Sequence, residues 1–153
     1  MDLRAKIDES YKNSIKSKNS LETDTLRLIR SAIKDKDIEN RGLGKSAEIN
    51  EQQILSLLQT LIKQRKDSIE SFKVAARNDL IEKEEKEIKI INLFLPKQLD
   101  EEEVKKIIEQ YVNENKLSSI KQMGILMNFL KEKYSGTIDM ALAGKLAKQI
   151  LNK

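Results

Sequence analysis

The chain has 153 residues and a net charge of +4, from 29 Lys and Arg against 25 Asp and Glu. It contains no cysteine and no histidine, which excludes a disulfide frame, a thiol nucleophile, structural zinc and the commonest general base. The basic excess is small and splits evenly, +2 on each side of Leu95, so any basic site must come from arrangement rather than gross asymmetry.

Nearly every segment has helical period and none alternates like a strand, so the expected fold class is all-α. Residues from about 2 to 18 read as a polar first helix, with Leu3, Ile7, Tyr11 and Ile15 as a thin apolar stripe. A second helix is expected over Asp24–Asn40, burying Leu26, Ile29, Ala32 and Ile33, and ending at Arg41-Gly42-Leu43-Gly44. Gly44-Lys45-Ser46 is not a phosphate loop. That motif needs glycine at position 39, which is Glu, and a preceding strand.

Asn50 with Gln53 forms the capping box of a long helix. Its inward stripe runs Ile54, Leu58, Leu61, Arg65, Ile69, Phe72 and Ala76. Asn78-Asp79 breaks it and starts a second long helix carrying Leu80, Ile81, Glu84, Ile88, Ile91 and Leu95. Glu82 with Lys86 and Glu85 with Lys89 are favourably spaced surface pairs. The two helices read as an antiparallel hairpin.

Pro96 closes this N-terminal lobe, residues 1–95. Asp100 with Glu103 caps the next helix, whose apolar face is Val104, Ile107, Ile108, Tyr111 and Val112. Ser119 with Gln122 starts another helix that buries Ile125, Leu126, Phe129 and Leu130. Gly136 stops it. Asp139 caps a last helix carrying Leu142, Leu146, Ile150 and Leu151. Residues 96–153 thus form a three-helix C-terminal lobe. The stretch Pro96–Leu99 serves either as a hinge or as a fixed elbow.

The string Leu61-Ile62-Lys63-Gln64-Arg65-Lys66-Asp67-Ser68-Ile69, then Ala76-Arg77-Asn78-Asp79-Leu80 and Leu93-Phe94-Leu95-Pro96-Lys97-Gln98-Leu99, resembles the YqeY branch of the GatB/YqeY family. Leu26-Arg27-Leu28-Ile29-Arg30 with Ala32-Ile33-Lys34 resembles its first signature. Met123-Gly124, Met127, Gly136 and Asp139 resemble its closing pattern. Met140 stands where the family usually has glycine. The resemblance implies a two-lobe helical fold. It also implies kinship with the C-terminal tail of GatB, the tRNA-engaging subunit of the glutamine-dependent tRNA amidotransferase.

Charged residues inside apolar stripes are the next signal. Arg65 faces Glu84 across the hairpin, and Arg77 at the break can join them or cap helix carbonyls. A structural ion pair fixing the register is favoured over a ligand pocket, because buried charges are seldom unpaired. Lys63, Lys66 and Lys73 read as a solvated flank, interrupted by Asp67 and Glu70. Glu101, Glu102 and Glu103 point around their helix and suit its dipole better than a metal. Met123, Met127 and Met140 read as core filler before partner groove. The RNA-binding candidates are Lys121, Lys131, Lys133, Lys145 and Lys148, with Lys153 and a close backbone approach at Gly136.

Function is therefore expected to be an RNA-binding accessory module, its partner tRNA or another structured RNA. The alternative is a helical protein–protein adaptor. No catalytic residue, cofactor or metal is assigned. Any carbon–nitrogen ligase chemistry with glutamine as amide donor is expected in partner subunits, since the chain lacks a Cys nucleophile, a phosphate loop and a Gly/Ser-rich serine cluster. Charges in Met1–Lys6 and the absence of an apolar run of roughly 18 residues lead to an expectation of a cytoplasmic protein with no membrane partner.

Overall fold

The computed structural model describes residues 2–45, 48–134 and 136–152. Ser46 and Lys153, both singled out above, lie outside them. The chain is all-α: α1 (Leu3–Lys16), α2 (Ser20–Gly42), α3 (Glu51–Val74), α4 (Asn78–Asn92), α5 (Glu101–Glu114), α6 (Met123–Tyr134) and α7 (Met140–Leu151). No strand occurs among the described residues. No helix there is long and apolar enough to cross a membrane. Contacts group the helices into two compact units, Met1–Leu95 and Pro96–Lys153.

In the first unit, Leu3 and Ile7 of α1, Leu26, Ile29 and Ile33 of α2, Ile54, Leu58, Leu61 and Ile62 of α3 and Ile91 of α4 form one core. The stripe expected on α1 does not hold to its end, because Ile15 is 50% exposed. Residues four apart drift by about 40° per step on an α-helix, so Ile15 has rotated away from the line of Leu3 and Ile7. Ser14, seven residues after Ile7, returns to that line. It is buried, with its hydroxyl oxygen 2.8 Å from that of Thr23 on α2.

α2 begins at Ser20, four residues earlier than Asp24. Asn19 is its N-cap: its side-chain oxygen accepts from the Glu22 N–H (3.2 Å), and its amide donates to the Glu22 carboxylate (3.1 Å). Asn50 and Gln53 close the capping box of α3 as the sequence indicates. At the hairpin break Ala76 takes φ 55°, and Arg77 N–H reaches back to the Phe72 carbonyl at 2.9 Å. The same closure recurs after α1 at Lys18 (φ 58°), after α2 at Gly44 (φ 72°) and after α5 at Lys116 (φ 53°). One of the four is glycine; in the other three, backbone hydrogen bonds hold a residue that has a Cβ in the left-handed region.

In the second unit, Val104, Ile108, Leu117, Leu126, Leu130, Ile138, Ala143, Leu146, Ala147 and Leu151 form the core. Asp100 and Glu103 make the α5 capping box. Ser119 and Gln122 cap a short 3₁₀ turn, Ile120–Gln122, that leads into α6. Ile125 was expected inside but is 54% exposed. Leu126 and Leu130 set the inward face of α6, and Ile125 lies about 100° from Leu126 around that helix. Met123, Met127 and Met140 pack against this core. A Cβ at Gly144 would stand 3.9 Å from the methyl carbons of both Met123 and Met127, so these methionines lie close over α7. Leu99 is tied into this unit by its N–H to the Thr137 carbonyl (2.8 Å).

Candidate functional site: a charged groove and a basic face

Two of the strings that carry the family resemblance, on α2 and α3, meet in the first unit. One face of α2, Leu28, Ser31, Ala32 and Asp35, borders an open groove of about 450 Å³. Leu61, Gln64, Arg65 and Ser68 of α3 form its floor, and Glu84 and Glu87 of α4 complete it. On α2 and on α3 the spacing is i, i+3, i+4, i+7, one continuous helical face.

Arg65 is the fixed point. Its Nε donates to Glu87 at 2.9 Å and its Nη1 to the Leu61 carbonyl at 3.0 Å, while Glu84 stands off at 4.0 Å. The side chains are 11%, 16% and 21% exposed for Arg65, Glu87 and Glu84. The ion pair is present, but its close partner is Glu87, one turn beyond Glu84 on the same stripe. Burial, then the neighbouring Glu87 charge, push the Glu84 carboxyl above its usual range, and Arg65 and Lys83 only partly oppose them. Arg77 does not join this cluster. It is exposed and pairs with Asp79 at 3.1 Å. Lys63 and Lys73 are neutralised on their own helix by Asp67 and Glu70, each at 3.2 Å.

Sequence reasoning missed a second charged cluster. Asp37 accepts two hydrogen bonds from Arg4 of α1, at 2.9 and 3.1 Å, and one from the Ile49 N–H at 2.8 Å. Arg4 also donates to the Ile49 carbonyl at 3.2 Å. These contacts tie α1, α2 and the entry to α3. The signal was available: Asp37 continues the Leu26, Ile29, Ile33 stripe four residues on, as Arg65 continues Leu58 and Leu61.

In the second unit charge divides by helix. α5 holds five glutamates and two lysines, whereas residues 115–153 hold seven lysines against Glu132 and Asp139. Lys145 and Lys148, three residues apart, share the outer face of α7. Lys131 and Lys133 lie in the last turn of α6. Two residues apart on a helix means about 200° of rotation, so they diverge. Lys133 places its ammonium 5.7 Å from the Phe129 ring centroid. Lys121 is exposed in the 3₁₀ turn. Gly136 is buried, with φ 88°, and its carbonyl accepts from the Gln98 amide. Its glycine character serves the turn between α6 and α7 and does not leave the backbone open to a ligand. Phe129 stacks on Tyr111 at 4.0 Å between centroids and meets Tyr134 edge-on at 6.0 Å, so these rings are engaged with one another.

Comparison with known proteins places this geometry in a lineage. Curated relatives include proteins named Altered inheritance of mitochondria protein 41, mitochondrial. That of Lachancea thermotolerans is 38% identical over 62% of this chain and 49% of its own length. That of Kluyveromyces lactis is 36% identical over 59% and 46%, and that of Vanderwaltozyma polyspora 30% identical over 72% and 58%. The chain thus spans about half the length of the curated relatives it matches. Their names overturn the cytoplasmic expectation. That expectation took the lack of an apolar leader as a sign of compartment, but mitochondrial transit peptides are amphipathic and Arg-rich rather than apolar. A family model described as Yqey-like protein matches residues 4–151. With the match running nearly end to end, the chain belongs to the YqeY-like family.

Proposed function

We propose that the protein is a non-catalytic accessory module that binds structured RNA, tRNA foremost, through the lysines of α6, α7 and their flanks. Its place would be beside a glutamine-dependent carbon–nitrogen ligase that acts on tRNA. The observation that carries this reading is the charge division: lysines dominate α6, α7 and their flanks, and the acidic residues gather on α5. The resemblance to the GatB tail points the same way. Because the aromatic rings of this unit engage one another, recognition would use phosphate and shape rather than base stacking.

The test is fluorescence anisotropy of the full chain with total tRNA at low and near-physiological salt, with an unstructured RNA as control. Reversing Lys131, Lys133, Lys145 and Lys148 to Glu is expected to weaken tRNA binding at least about tenfold and to flatten its salt dependence. Unchanged affinity in a folded variant refutes the reading. A protein–protein adaptor is the second reading, favoured by the open groove of the first unit.

A further inference from the structure

The groove has features that a purely structural ion pair does not require. Its α2 and α3 faces each span eight residues, seven rises or about 10 Å at 1.5 Å per residue, which is two turns of a docked helix. Leu28, 45% exposed, and the buried Leu61 both line it. Asp35, Glu84 and Glu87 set three carboxylates against the single guanidinium of Arg65, in a chain whose net charge is +4. Arg65 is committed to Glu87 and the Leu61 carbonyl. Neither Glu84 nor Asp35 has a hydrogen-bond partner among the described residues.

This local anionic balance repels phosphate. Among the described residues no three carboxylates are placed to hold a metal ion. A cation on an alkyl stem fits better, because its methylenes can cover Leu28 and Leu61 while its head reaches Glu84. We propose that the groove docks a helix of a partner protein that presents one Lys or Arg between apolar side chains spaced i, i+3 or i+4, and i+7. The proposal rests on the adaptor reading and names the chemistry of its partner. Burial first, then the Glu87 charge, raise the protonation range of Glu84 against the opposing charges of Arg65 and Lys83.

The test selects a display library of 18-residue helices, randomised at four positions of that spacing, against the full chain. Lys or Arg is expected at one inner position, flanked by Leu, Ile, Met or Phe. A synthetic peptide of the selected sequence should shift the backbone amide resonances of Leu28, Ala32, Leu61 and Gln64. Its Kd should rise at least tenfold in the double variant Asp35→Asn, Glu84→Gln, which keeps the Arg65–Glu87 pair. If no peptide is selected, or the shifts fall elsewhere, the adaptor reading fails together with the proposal. If the selected peptides lack a basic residue, or the double variant binds unchanged, the cation assignment fails and the adaptor reading stands. Shifts of the same amides with protein concentration alone, or with tRNA, would give the groove to a second copy or to RNA and overturn the proposal.

Discussion

The Asp37 cluster offers the sharpest test of how the first unit is held. Replacing Asp37 with Ala removes a two-pronged charged pair with Arg4 and the acceptor of the Ile49 N–H. Asp37 is 9% and Ile49 5% exposed, so the abandoned N–H is left without water. An unsatisfied buried donor costs about 1–3 kcal/mol. The Arg4 side chain is 28% exposed, so the pair itself contributes nearer the surface figure of about 1 kcal/mol. Asp37→Ala should therefore cost about 3 kcal/mol. Asp37→Asn, which still accepts from Ile49, should lose about 1 kcal/mol, the share of the charge. Equilibrium urea unfolding of both variants at neutral pH measures this. Arg4 and the Ile49 N–H hold the Asp37 carboxyl below its usual range. Its contribution is thus present above the ordinary carboxylate pKa and lost as pH falls through the depressed folded value. The gap between wild type and Asp37→Asn should narrow in that acid window. Equal losses for Ala and Asn, or a total below about 1 kcal/mol, would refute the assignment of a buried acceptor.

Glu84 should show the opposite sign. Its folded carboxyl holds a proton more tightly than the unfolded one, so its burial penalty is absent below the ordinary Glu pKa and grows as pH rises through the folded value. Glu84→Gln is expected to raise the urea midpoint at pH 7.5 and to match wild type near pH 4; a lowered midpoint at pH 7.5 would contradict the desolvation argument. At the left-handed helix ends, Gly44→Ala should cost about 1 kcal/mol through backbone strain alone, since nothing lies within 4 Å of a Cβ there. Ala76→Gly, in the same backbone closure, should not destabilise and should gain up to about 0.5 kcal/mol; thermal melts of the two variants moving in the same direction would refute the shared-motif reading.

The all-α class, the capping boxes at Asn50 and Asp100 and most inward stripes were legible in the sequence, because a cap and a periodic face are local properties. Ile15 was misplaced because a stripe read at fixed spacing ignores the drift of 3.6 residues per turn, and Ile125 because it sits about 100° around the helix from Leu126. The helix ends at Lys18, Ala76 and Lys116 carry no glycine, so their turns leave little trace in composition. At the groove, Arg65 and Glu84 were visible as charges inside apolar stripes. Glu87 was not, although it lies on the same face. Which of two carboxylates an arginine grips depends on how α3 and α4 cross, and that is a tertiary property. Asp35 and Leu28 read as ordinary surface residues until α2 was set against α3. The lysines of the second unit were legible one by one, but not the divergence of Lys131 from Lys133, nor the burial of Gly136.

The Tyr111–Phe129–Tyr134 arrangement has an optical consequence. The chain has no tryptophan and three tyrosines. Tyr11, in the first unit, lies under the Arg30 guanidinium at 4.3 Å, whereas the other two flank Phe129 in the second. Rings fixed by stacking at 4.0 Å and 13° are held in an asymmetric surrounding, which is what gives tyrosine a near-ultraviolet circular-dichroism band that a freely rotating ring lacks. The melting of that unit can then be followed in the near ultraviolet without a label, and a Tyr11→Phe background would silence the tyrosine signal of the first.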